Sequence, residues 1–549
     1  MKHVIPILVV LLLLSSGFVG VSVIPSIGTV EQEYRPLDIG CSSVELYNGR
    51  NGWNHTFGGV SYDEGYSVQQ TSDSGYIITG ATLSFGAGNW DVWLIKTDSS
   101  GSEQWNRTFG GSSYDRGSSV QQTSDDGYII AGATYSYGLG DFDVWLIKTD
   151  SVGNEEWNYT FGGSSDDRGY SGQQTSDDGY IISGYTDSYG AGDSDVWLIK
   201  TDSNGIEVWN STFGGINYDR GFSVQQTSDG GYIITGYTVS YDTDDTGCDI
   251  WLIKTDSNGI EEWHQTFGGT GVSNKFDMGY SVQQTSDGGF IITGDTEIYF
   301  VAKSDVWLIK TDSVGNEEWN HTFGGSGTDR GRSVQQTSDR GYIITGWAWS
   351  FSVVDPDIWL IKTDSSGNEE WNYTYLYGEN SGDWGYSCQQ TNDGGYIIAG
   401  AIASYIGEGT DVWLIKIAGE NHLPNPPIIT GPINGKIWVL YEYNFSLSDP
   451  DGDNISFRVD WGIGGPSKLH GPFASGTIVP LNYSWRRRGT YIIRAQAIDV
   501  YGAESDWGYL EVTMPMNQQT TFSSWWFMRF LQSHPRMFPI LRQLLGWYT

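Results

Sequence analysis

One motif of 52 to 56 residues is written seven times along the chain. The tryptophan of its Asp-Val/Ile-Trp-Leu-Ile-Lys segment falls at Trp93, Trp145, Trp197, Trp251, Trp307, Trp359 and Trp413. Self-similarity at a fixed period of this length means one supersecondary unit stacked on copies of itself. The copy from Gly65 to Gly111 can be read strand by strand. Tyr66-Ser-Val-Gln-Gln-Thr71 is short and β-prone, and Ser72-Asp-Ser-Gly75 is turn chemistry. Tyr76 to Thr82 is a second strand rich in β-branched residues. After a variable loop, Leu83 to Trp90, the third strand Asp91-Val-Trp-Leu-Ile-Lys-Thr97 is apolar on both alternating faces and should be covered on both sides. Asp98 to Gly101 turns the chain into a fourth strand, Glu103 to Phe109.

Four short antiparallel strands with both sheet faces apolar describe a propeller blade. The expected fold is all-β: a seven-bladed β-propeller, then a C-terminal immunoglobulin-like β-sandwich. The repeats enter on a fourth-strand segment, Gly49 to Phe57, and leave on a third strand, Asp411 to Lys416. The first segment can therefore complete the last blade and remove the open edges. The motifs Asp-Gly-Gly-Phe-Ile-Ile-Thr-Gly (287–294), Asp-Val-Trp-Leu-Ile-Lys and Thr-Phe-Gly-Gly resemble the seven-bladed propeller repeats of secreted and cell-surface bacterial and archaeal proteins. Gly101 to Trp105 is similar to the tryptophan-docking step of quinoprotein propellers. The resemblance covers about Gly49 to Ile417 and implies a fold, with no catalytic residues carried over.

Residues 1–23 read as a secretory signal, with Lys2 and His3 before the apolar run Val4 to Leu14; an uncleaved anchor is the alternative. Either places the repeats outside the cytoplasm, secreted or on the cell surface. The propeller is expected over 42–418 and a Pro-rich linker over 419–427. The sandwich should span 428–515 and an aromatic, basic, amphipathic tail 516–549. In the sandwich, Asp449-Pro-Asp-Gly-Asp453, Val459-Asp-Trp-Gly462 and Gly489 to Asp499 resemble a polycystic-kidney-disease (PKD) type immunoglobulin-like domain. The family's Asp-Trp-Gly-Asp-Gly is Asp-Trp-Gly-Ile-Gly here. The resemblance implies a spacer or a weak adhesion module. The tail carries Trp525, Trp526, Phe527, Arg529 and Arg536, interrupted by Pro535 and Pro539. It suits the surface of a membrane, or docking on the sandwich or a partner, better than a spanning helix.

The net charge of −37 opposes nucleic acid and favours cations, calcium above all. Aspartate is also the currency of turns, so much of that charge is structural. Asp449, Asp451 and Asp453 alternate as calcium ligands would, although no full EF-hand pattern is present. Of the three cysteines, Cys388 replaces the valine of Ser-Val-Gln-Gln and reads as a small core residue; a bridge to Cys41 is the alternative. Asn-x-Ser/Thr sequons stand at Asn54, Asn106, Asn158, Asn210, Asn320, Asn372, Asn444, Asn454 and Asn482. They are glycosylation candidates, or, for the first six, repeat grammar.

No zinc spacing, nucleophile elbow, P-loop or dinucleotide fingerprint occurs. Two sets of aspartates recur. Asp63, Asp115, Asp167, Asp219, Asp277, Asp329 and Asp383 precede the first strand and would ring one mouth of the channel; arginine follows four of them, as Arg116, Arg168, Arg220 and Arg330. Asp91, Asp143, Asp195, Asp249, Asp305, Asp357 and Asp411 precede the third. Residues present in every copy suit turn-capping and pairing between repeats, whereas a site needs asymmetry. The loops before the third strand vary most, so Trp90, Tyr137, Tyr189, Tyr241, Asp244, Asp245, Tyr299 and Trp349 are the ligand-binding candidates. The expected role is monomeric binding of a glycan or a cell-envelope protein at that mouth. A polysaccharide lyase or hydrolase on the same scaffold, or a purely structural envelope module, are the rival readings.

Overall fold

Each repeat folds as one four-stranded antiparallel sheet with its strands in chain order. In the first, these are Asp63–Gln70, Tyr76–Thr82, Asp91–Thr97 and Glu103–Phe109. The second and third strands are buried along their whole lengths, as residues apolar on both faces require. The first is half-buried and the fourth mostly exposed. Tight turns join them: Thr71 N donates to Gly75 O at 2.9 Å, and Asp73 Oδ1 accepts from Gly75 N at 3.0 Å. This is a computed structural model describing residues 52–515, except 242–246, 269–274, 299–302, 352–354, 376–381, 404–408, 420–422, 451, 466–467 and 501, together with Arg529, Phe530 and Ser533. Residues 1–51, with the expected signal segment and Cys41, and nearly all of the aromatic tail lie outside the described residues. Among the described residues no helix is long and apolar enough to cross a membrane.

Among the described residues, 52–417 form seven such sheets. In the last, Gly52–Phe57 supplies the fourth strand and pairs antiparallel with Thr410–Ile417, Trp53 lying opposite Lys416. Neighbouring sheets are joined by a recurrent contact. A Cβ on Gly153 would sit 2.6 Å from Trp105 Cζ3, so the indole of one sheet lies directly on the turn of the next. The same turn needs glycine for its backbone, at φ +80°. Trp105 also meets Tyr128 of the next sheet edge-on at 5.8 Å, Trp371 meets Tyr396 at 5.8 Å, and Trp53 of the last sheet meets Tyr76 of the first at 5.6 Å. First strands are linked by side-chain amides: Gln69 Oε1 accepts from Gln122 N at 2.6 Å, and Gln389 Oε1 accepts from Gln70 N at 2.7 Å. Val68 and Gln69, with their counterparts in all seven sheets, line a common cavity of about 240 Å³.

The lysine of the third strand is buried in every sheet; Lys96, for instance, is 3% exposed. Its ammonium is satisfied by Asp73 at 2.8 Å, Thr97 O at 2.8 Å and Gln104 Oε1 at 3.3 Å. Burial alone would raise the Asp73 carboxyl, but hydrogen bonds from Lys96, Thr71 and Gly75 carry it down to about 2. Cys388 occupies the valine position as a free, buried thiol with its Sγ 3.8 Å from Ser333 Oγ. It packs as a small core residue.

Beyond the repeats, two antiparallel sheets share one apolar core. One holds Ile428–Thr430, Tyr441–Ser446 and Ile478–Tyr483; the other holds His470–Phe473, Ile455–Asp460, Gly489–Ile498 and Gly508–Met514. Tyr443, Phe445, Phe457 and Trp485 are buried at its centre. Asp460 caps the turn that follows, its Oδ1 accepting from Gly462 N at 2.8 Å.

Candidate functional site

All seven aspartates of the first set are buried, at no more than 1% exposure. Turn groups occupy the carboxylates, which is the turn-capping role expected of residues present in every copy. Asp115 accepts from Gly111 N at 2.8 Å, from Ser136 Oγ at 2.6 Å and from Thr134 Oγ1. Asp63, Asp167 and Asp219 hold the equivalent glycine amides. Of the second set, Asp91, Asp143, Asp195, Asp249 and Asp357 are buried, and Asp305 and Asp411 are half-buried. Asp91 Oδ2 accepts from Ala87 N at 2.7 Å, and Asp143 Oδ2 from Leu139 N at 2.6 Å. Burial pushes Asp91 and Asp143 up to about 6, with Asp115 and Asp167 adding repulsion across Gly110 and Gly162. These raised carboxyls recur at equivalent buried turns, so they mark packing rather than an acid–base centre.

The loop aromatics divide. Tyr137, Tyr189 and Tyr241 lie on Trp145, Trp197 and Trp251 at 5.4, 5.5 and 5.3 Å between ring centres. Their hydroxyls donate to Gly110 O, Gly162 O and Gly214 O at 2.9, 2.9 and 3.2 Å. Phe85 and Phe351 take the same place on Trp93 and Trp359. The three tyrosines thus form a recurrent brace between sheets while remaining exposed. Trp349 is half-exposed, and Asp244, Asp245 and Tyr299 lie outside the described residues.

The sequons of the repeats have a structural task. Asn158 Oδ1 accepts from Trp145 Nε1 at 3.0 Å while its amide nitrogen donates to Glu155 at 2.6 Å. Asn106, Asn210, Asn320 and Asn372 repeat both bonds. Asn54 is buried and accepts from Trp413 Nε1 at 3.1 Å. Where His264 replaces asparagine, Trp251 Nε1 has no acceptor. A glycan on these amides would compete with the glutamate bond; Asn454 and Asn482 are exposed, and Asn444 lies half-buried in a strand. Asp449 closes its own turn, its Oδ1 accepting from Asp453 N at 3.4 Å, and its backbone N donates to Ser475 Oγ at 2.9 Å. Asp451 lies outside the described residues, and among those described no three His, Cys, Asp or Glu are grouped to hold a metal.

The asymmetric cluster sits where the first strand of every sheet carries a β-bulge, between Gly65 and Ser67 and at each equivalent. A bulge re-aims one side chain. The bulged residues are Tyr66, Ser118, Tyr170, Phe222, Tyr280, Arg332 and Tyr386. They contact one another across sheets: Tyr66 meets Tyr386 at 5.3 Å, Phe222 meets Tyr170 at 5.1 Å and Tyr280 at 5.3 Å, and the Arg332 guanidinium lies 3.8 Å over the Tyr280 ring. Two residues earlier come Glu64, Arg116, Arg168, Arg220, Met278, Arg330 and Trp384. Their guanidinium groups lean on neighbouring rings, Arg116 over Tyr170 at 5.1 Å, Arg168 over Phe142 at 4.0 Å and Arg220 over Tyr185 at 4.0 Å. Burial, helped by Glu64, holds the Tyr66 phenol well above its usual range, and burial takes Tyr280 up to about 12, so both remain hydroxyl donors.

A cavity of about 190 Å³ opens here across the first three sheets, lined by Tyr66, Trp90, Tyr114, Arg116, Phe142 and Arg168 among others. Trp90 is thus the sequence candidate that the structure brings to a site. The arginines and bulged aromatics were not among the candidates. Their signal was present: within Asp-x-Gly-x-Ser the two x positions vary from copy to copy while the residues around them do not.

No protein-family model matches the chain, and no curated protein is significantly similar to it. A solved structure does match part of it, the PKD domain of an M14-like peptidase from Thermoplasmatales archaeon SCGC AB-540-F20. The identity is 48% over 17% of this chain and 98% of that domain, with a TM-score of 0.17.

Proposed function

We propose that the chain is a secreted or cell-surface binding protein, a seven-bladed β-propeller followed by a PKD-type immunoglobulin-like domain. In this reading the arginine–aromatic face recognises a glycan. First-to-last contacts support closure: Ile397, Ala399 and Leu414 of the last sheet pack in one core with Tyr76, Ile78 and Trp93 of the first. The single observation that carries the function is the bulged position. It differs between copies of an otherwise repeated framework, clusters aromatic rings across sheets, and places Tyr66 beside a 190 Å³ cavity with Trp90, Tyr114 and Phe142. Aromatic faces suit the apolar faces of sugar rings, and polar groups at their edges supply orientation.

The test is incubation of the purified protein with neutral and acidic cell-envelope polysaccharides, reading retention and released oligosaccharides together. Retention without product is the expected result. Product would reassign the face as an enzyme's, and neither retention nor product would leave a structural module.

A further inference from the structure

We infer that the ligand of this face is an anionic polysaccharide, gripped by arginines of alternate sheets through its carboxylate or sulfate groups; the inference rests on the glycan-binding reading above. The chain carries a net charge of −37, yet five of the seven arginines between residues 52 and 417 stand in this cluster: Arg116, Arg168, Arg220, Arg330 and Arg332. Their states differ. Arg168 is already satisfied, its Nε and Nη2 donating to Asp166 at 2.8 and 2.9 Å. Arg116, Arg220 and Arg332 are satisfied less fully, Arg220 Nη2 reaching Ser194 Oγ only at 3.4 Å. The Nε of each is buried without a hydrogen-bond acceptor. None of the three lies within salt-bridge distance of a described carboxylate, although the neighbouring Arg168 does.

An N–H buried without an acceptor is costly, and a guanidinium desolvated against rings is a preorganised fork for a planar anion. The three orphaned groups belong to the second, fourth and sixth sheets. Fixed donors on separate sheets suit a polymer with repeated charges better than one small anion. Half-exposed Tyr114 and Tyr218 lie beside Arg116 and Arg220, where a sugar ring can stack while its acid group meets the fork. The chain's net charge of −37 opposes every polyanion at long range, so selection rests on the local guanidinium forks.

The test uses the full chain in equilibrium binding to polygalacturonate, to the same polymer fully methyl-esterified, to dextran sulfate, to dextran and to single-stranded DNA. The expected result is binding to polygalacturonate or dextran sulfate, whichever carries the matching acid, weakened with rising salt. Methyl-esterification should cost at least ~10-fold if carboxylate is recognised, since each lost charge-assisted bond is worth about a decade. Arg116→Gln and Arg332→Gln should each weaken binding ~10-fold with unchanged melting temperature, and Arg340→Gln, outside the cluster, should not. Equal affinity for polygalacturonate and its ester, without binding to dextran sulfate, overturns the anionic ligand but leaves glycan binding. Binding to dextran alone does the same. Failure to bind any of the polysaccharides overturns both, and preference for DNA overturns the choice of polymer. If one glutamine variant melts lower, the other decides.

Discussion

Replacing Asp91 by asparagine should stabilise the protein at neutral pH. Asp91 is 1% exposed, and burial together with Asp115 lifts its carboxyl from 3.8 to about 6. Such a group contributes stability that is complete below 3.8 and lost as pH rises through about 6. A rise of about two pH units, at 1.36 kcal/mol each, makes the ionised form ~3 kcal/mol costlier in the folded state. Asparagine keeps the Oδ acceptor that Ala87 N uses at 2.7 Å, and it turns an amide toward the Asp115 carboxylate across Gly110. The gain at pH 7.5 should therefore approach ~3 kcal/mol and fall to ~1 kcal/mol at pH 4.5, where most of the native Asp91 is already protonated. In a chain of this size that corresponds to about 2–4 °C in melting temperature at pH 7.5. Differential scanning calorimetry of both proteins from pH 4.5 to 7.5 measures it. A variant that melts lower than the parent at pH 7.5, or whose advantage does not shrink on acidification, would refute the account of the paired carboxyls.

The buried lysines give a paired comparison in urea unfolding. Lys200 has Asp177 and Thr201 O as partners, with Val208 where the second sheet has Glu156, whereas Lys148 has both Asp125 and Glu156. Asp177→Ala should therefore cost about 3 kcal/mol and Asp125→Ala clearly less; equal costs would mean that the second carboxylate contributes nothing. Trp105→Ala should cost about 3 kcal/mol by emptying the contact with Gly153 and Tyr128, and Gly153→Ala should also destabilise, since its φ of +80° and the indole at 2.6 Å both exclude a Cβ. Deleting residues 42–58 removes the strand paired with Thr410–Ile417 and should lower the melting temperature sharply; an unchanged melt would show that this strand does not hold the last sheet.

Much of this protein could be read locally. Period 52 to 56, the β-branched runs and the Ser-Asp-x-Gly turns determined four strands per copy and their order, because strand propensity and turn chemistry depend on residues a few positions apart. The pairing of Gly52–Phe57 with the last repeat also followed from the phase of the pattern. The site did not follow. That Tyr137 braces Gly110 O is a matter of which groups meet between sheets, and that the sequon asparagines serve Trp Nε1 and the first aspartate set is buried are matters of side-chain placement that the pattern does not carry. The bulge at Tyr66 and its equivalents is a register shift that no residue type announces, and it aims six aromatic or arginine side chains at one face. Tyr66 and Tyr386 are 320 residues apart in the chain and 5.3 Å apart between rings. Only the stacking of sheets brings such residues together, since the repeat encodes each sheet separately and the differences between copies acquire meaning where the sheets meet.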